Sequence, residues 1–170
     1  MIAEALVLAV LPLLLAAAAG YDLASFTIPN MLNLAVIAVF PLFAIAAGMP
    51  LGTIGLHLLA GFAGLAVGFL LFALGWIGGG DAKLFAGVAL WLGFGDLMPY
   101  ALMASVFGGL LTLALLVLRQ WPLPEKLLGQ AWIVKLHDAR SGIPYGVALA
   151  LGAFVLLPHS EIFRIAAGGA

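Results

Sequence analysis

Six stretches of this sequence, residues 2–20, 31–47, 53–77, 81–94, 97–118 and 144–163, are almost free of charge. Most approach the roughly 20 apolar residues that a helix needs to cross the hydrocarbon core of a bilayer. A backbone in lipid must satisfy its own hydrogen bonds, so such stretches are restricted to helices. With 66% of its 170 residues hydrophobic and 8% charged, the chain carries more apolar surface than a water-soluble domain of this size can hide. The expected fold is an all-α membrane protein, a polytopic bundle of about six transmembrane helices forming a single domain over residues 1–170. Gly48-Met49-Pro50 and Gly93-Phe94-Gly95-Asp96 read as tight turns between spans.

Ala16-Ala17-Ala18-Ala19-Gly20 has the small residues of a signal-peptide cleavage site, but only Glu4 precedes the apolar run where such a peptide needs basic residues. The segment therefore reads as an uncleaved first span. Arg119, Lys126, Lys135 and Arg140 fall in the one long connection, and Lys83 in the connection two spans earlier. The positive-inside rule puts both on the cytoplasmic side, with both termini outward and Arg164 alone among the basic residues on the outer side. Between Arg119 and Gly142, charged residues and prolines alternate with Leu127, Leu128, Trp132, Ile133 and Leu136. That pattern predicts an amphipathic helix lying at the cytoplasmic interface against membrane lipid.

Six basic against seven acidic residues leave no cationic surface for nucleic acid. The absence of cysteine removes thiol chemistry and thiolate metal sites, and His57, His137 and His159 lack the paired spacing of a metal site. No metal and no cofactor is expected. The chemistry must come from carboxylates, and an acid in or beside a span is costly enough to count as a functional hypothesis. Glu4 and Glu161 sit at outer helix ends, and Glu125 and Asp138 in the charged connection, which leaves Asp22, Asp81 and Asp96. Asp22 closes the first span, where headgroup water would solvate an ordinary carboxylate. Asp81 follows Gly78-Gly79-Gly80, where an ordinary aspartate would cap the next helix. Two complete spans separate Asp22 from Asp81, so they lie on one side of the membrane in either orientation. Adjacent carboxylates that share a proton supply a base for water and an acid for a carbonyl, the chemistry of aspartic proteolysis. Three glycines beside one of them leave room for a peptide backbone. Asp96, one span from Asp81, must face the other side, as part of an outward turn.

Gly78-Gly79-Gly80-Asp81-Ala82-Lys83-Leu84 resembles the Gly-x-Gly-Asp-x-Lys signature of the type IV prepilin peptidases, bacterial membrane aspartic proteases. Asp22 followed by Ile28-Pro29-Asn30 is similar to the first-aspartate motif of the small members serving tight-adherence (Flp) pili, and Ile143-Pro144-Tyr145-Gly146 to their last-span motif. The resemblance implies that Asp22 and Asp81 are the catalytic pair in the cytoplasmic (inner) membrane. It also implies that a prepilin or pseudopilin loses its leader at the cytoplasmic face, after a glycine and before an apolar helix. Gly78, Gly79, Gly80, Lys83, Pro144, Tyr145 and Gly146 match the motifs as residues that shape the site. Lys83 either tunes charge beside an aspartate or anchors the chain at the cytoplasmic side. Pro144 is placed to start the last helix, Gly146 to admit a close neighbour, and Tyr145 to serve as a hydrogen-bond donor or an interfacial aromatic.

Leu23-Ala24-Ser25-Phe26-Thr27 carries no charge where the family is often basic, which bears on substrate preference. Larger members carry paired cysteines and methylate the new pilin N-terminus, so peptidase activity without methyltransferase activity is expected here. Presenilin-like proteases share a Tyr-Asp and Gly-x-Gly-Asp dyad but need about nine spans, beyond this length. An archaeal-type preflagellin peptidase is a nearer alternative. From another class, a small transporter or proton-relay subunit would use the same aspartates, with Gly64 and Gly68 at a moving interface. Simple helix packing also explains those glycines. A non-catalytic assembly protein is compatible with the composition.

Overall fold

The computed structural model describes residues 1–168, and every regular element among them is helical. Helix α1 spans Ile2–Ser25 with a π-helical stretch at Leu6–Val10, α2 spans Asn30–Ala46 and α3 spans Leu51–Ala73. The helical segment Gly79–Leu118 then breaks at Gly93, whose φ of 71° and ψ of −178° belong to no helix. Its two limbs, 79–92 (α4) and 94–118 (α5), double back on each other. The rings of Phe85 and Tyr100, on either side of the break, stack at 5.2 Å; in a continuous helix they would stand about 22 Å apart. The expected turn at 93–96 is thus compressed into one glycine, and Asp96 lies in the first turn of α5.

A short helix α6 (Ala131–His137) follows, then α7 (Tyr145–Leu156) and α8 (Glu161–Ala166). Two expectations need correction here. The sixth span is not one helix over 144–163. It stops at Leu156, passes through a 3-10 turn carrying Pro158, and restarts behind Ser160, which is buried and accepts from Phe163 N. Proline removes one amide from the helical ladder and the serine caps the restart. The 119–142 connection likewise holds only α6 and two 3-10 turns, Glu125–Leu127 and Ala139–Ser141, in place of a long amphipathic helix.

Helix α4 is the centre of the bundle: apart from Lys83, every residue from Asp81 to Gly93 is buried. It fits there because its partner α3 offers glycines. A Cβ on Gly64 would stand 2.7 Å from Ala89 Cβ, and one on Gly68 would stand 2.9 Å from the Ala82 carbonyl oxygen. That close approach is the packing role expected of small residues in membrane helices. Trp91 Nε1 donates to the Val36 carbonyl at 2.8 Å, fastening α2 to the other face. His57 stacks on Phe40 at 5.4 Å and sets Nδ1 2.8 Å from the Leu90 carbonyl, packing against the Gly93 break. The outward faces of the helices carry exposed Leu58, Phe62, Phe69, Leu102, Val106 and Leu113, the apolar coat of a lipid-embedded bundle.

Candidate active site

The buried stripe of α1 runs Ala3, Val7, Leu11, Leu15, Ala18, Asp22. The steps of three and four residues keep one face inward, so Asp22 is carried into the core by the same periodicity that buries the leucines. It is 4% exposed, buried against the bundle in the last turn of α1 rather than solvated there. The Gly146 amide, in the first turn of α7, donates to Asp22 Oδ2 at 2.6 Å. Gly146 has to be glycine for this contact, because a Cβ there would lie 2.9 Å from Oδ2 and 3.0 Å from Asp22 Cβ. Pro144 precedes α7 as its N-cap rather than opening it at the first helical position.

Asp81 is 8% exposed and is the third residue of α4. The helix is capped at Gly78, not at Asp81: Asp81 Oδ2 reaches back to accept from Gly78 N at 3.0 Å, half of a capping box. Its Oδ1 is buried without a hydrogen-bond partner among the described residues. An uncompensated carboxylate oxygen in such surroundings is expensive. That cost is the kind that functional sites carry.

Both carboxylates line one cavity of about 200 Å³, together with Phe26, Thr27, Ile28 and the three glycines Gly78, Gly79 and Gly80. The glycines do not simply leave space for a visitor. A Cβ at Gly80 would stand 3.2 Å from Ile28 Cβ and 3.3 Å from its amide nitrogen, whereas one at Gly79 would only touch the Phe72 ring at 3.5 Å. The smallness of Gly80 lets Ile28 close over the start of α4, which forms the cavity wall. Lys83 Nζ donates to Asn30 Oδ1 at 2.7 Å, tying α2 to α4; among the described residues neither aspartate enters an ion pair. The Tyr145 ring packs against Gly108 and borders a second, largely apolar cavity that also reaches Asp81. Among the described residues no cluster of three metal-ligating side chains forms.

Two buried polar residues near this end were not singled out from sequence. Asn33 is 3% exposed, and its Nδ2 donates to the Gly80 carbonyl at 3.2 Å, fixing the residue before Asp81. It shares a stripe with Val36, Phe40 and Phe43 on α2, so its burial was readable from helical spacing. Tyr100 is fully buried, and its hydroxyl has no partner among the described residues.

The sequence profile of the type IV leader peptidase family matches residues 9–113, a range that contains Asp22 and Asp81 and every wall of their cavity. No similar curated protein and no similar solved structure was found.

Proposed function

From the premise that this chain belongs to the type IV leader peptidase family, we propose that it is an aspartic endopeptidase whose catalytic pair is Asp22 and Asp81. The observation that carries this reading is two carboxylates from distant parts of the sequence lining one small cavity. With one oxygen of each fixed by a backbone amide, Asp22 by Gly146 and Asp81 by Gly78, the pair is oriented without needing a cationic partner. One carboxylate takes a proton from a water as that water attacks the scissile carbonyl. The other holds the shared proton and donates it to the carbonyl oxygen, and the tetrahedral intermediate collapses as its nitrogen is protonated.

The substrate in this reading is a prepilin or pseudopilin, cut after a glycine and before its apolar helix. The site faces the cytoplasm, because Lys83, Lys135 and Arg119 all gather at the end where the two aspartates lie, in contact with Asn30, Ser25 and Leu136. Co-expression with a candidate prepilin tests the reading. Asp22→Asn and Asp81→Asn abolish leader removal while the protein remains inserted, and Asp96→Asn, at the far end of α4's hairpin, cleaves normally. Persistent cleavage by either dyad variant refutes the assignment.

A further inference from the structure

We propose that Lys135, in the 119–144 connection, is a positioning residue that clamps the end of α1 and so holds one wall of the cavity containing Asp22 and Asp81. The inference rests on the peptidase reading above. Helix α1 ends at Phe26, which has φ 58° and ψ 30° and is the one non-glycine residue with positive φ among the described residues. A bulky side chain is unusual in the left-handed region and persists there only where its surroundings hold it. The Phe26 amide donates to the Asp22 carbonyl at 2.7 Å, so this cap hangs directly from the aspartate's own backbone. Phe26, Thr27 and Ile28 then form the wall of the cavity.

Two interactions from Lys135 hold the cap from outside. Its Nζ donates to the Ser25 carbonyl at 2.7 Å and stands 5.1 Å from the centroid of the Phe26 ring. A charge-assisted hydrogen bond and a cation over an aromatic face converge on two consecutive residues. Lys135 is itself braced. Arg119, at the end of α5, donates from Nε at 3.0 Å and Nη2 at 2.8 Å to the Leu136 carbonyl, and from Nη2 at 2.8 Å to that of Gly142. Beyond Gly142 the chain enters α7, whose Gly146 amide holds the Asp22 side chain. The connection therefore grips Asp22 twice, by its backbone through Lys135 and Phe26 and by its carboxylate through Gly146. A lysine merely resting at the membrane surface would need neither the carbonyl nor the ring.

The test compares Lys135→Met, which keeps the apolar stem, with Lys135→Arg, which keeps donor and cation. Each is read twice: by kcat and KM for prepilin cleavage, and by the labelling rate of a Thr27→Cys variant with a water-soluble maleimide, the chain having no cysteine of its own. Lys135→Met is expected to lower kcat about tenfold with KM within about twofold, and to speed labelling several-fold, whereas Lys135→Arg returns both to near the wild-type values. Equal labelling in Lys135→Met and the parent overturns the clamp, whatever cleavage shows. Faster labelling with no prepilin cleavage even by the parent supports the clamp and refutes the peptidase reading beneath it.

Discussion

Gly146→Ala is the sharpest test of how Asp22 is held. The added methyl would stand 2.9 Å from Asp22 Oδ2, 3.0 Å from Asp22 Cβ and 2.7 Å from Ile28 Cδ1. The isoleucine tip can rotate away, but the aspartate is fixed to α1. Restoring ordinary contact at its Cβ means moving α1 and α7 apart by about 0.5 Å, and overpacking of this size costs about 1–3 kcal/mol. Catalytic groups tolerate about that much displacement, and a full 1 Å can cost about 100-fold in rate, so about tenfold is expected in kcat. The assay is leader removal from a purified prepilin in detergent, beside thermal unfolding of the same samples. Gly152→Ala is the control. It lies on the same helix, and its Cβ would come within 3.0 Å of the Ala104 amide nitrogen, away from both aspartates. It should lose stability to a similar degree and keep kcat. If Gly146→Ala cleaves at the parent rate, or if both variants lose rate equally, the amide of Gly146 does not position Asp22.

Gly93→Ala places a side chain at φ 71°, ψ −178° and 3.1 Å from His57 Cε1. It should cost about 2 kcal/mol or more of stability, seen as a lower unfolding midpoint, whereas Gly95→Ala, with open space around it, should be neutral or slightly stabilising. Tyr100→Phe removes a buried hydroxyl that has no partner. It should therefore leave stability unchanged or raise it by about 1 kcal/mol, with cleavage retained; a large loss of either would mean that the hydroxyl has work to do.

The membrane bundle and the placing of Asp22 and Asp81 at one end of it were legible because both follow from counting. Apolar runs of fixed length give the spans, and an even number of spans between two acids puts them on one side. Helical spacing would also have buried Asp22 and Asn33, since each continues a stripe of core residues three or four apart. What the sequence hid was contact. That Gly146 offers its amide to Asp22, or that Ile28 lies against Gly80, depends on how α1, α4 and α7 cross, and no local spacing encodes a crossing. The ordinary alternative for Asp81, a helix N-cap, falls three residues past the observed cap, because a carboxylate can also serve a helix start from its third position, reaching back to the amide of Gly78. The apolar run over 144–163 outlasts α7 because its composition outweighs the punctuation of Pro158 and Ser160, at which the helix stops and restarts.

The hairpin at Gly93 also sets a length. The limb 79–92 rises only about 21 Å and α7 about 18 Å, while a hydrocarbon core is about 30 Å thick. Asp81 and the Gly146 amide that holds Asp22 are therefore carried by short helices, beside the longer α1, α3 and α5. Because α4 is enclosed by those longer neighbours, lipid meets them and not the short limb that carries Asp81, so its shortness imposes no mismatch on the bilayer. The depth of Asp81 is thereby set by the packing of α4 against protein rather than by the thickness of the lipid around the bundle.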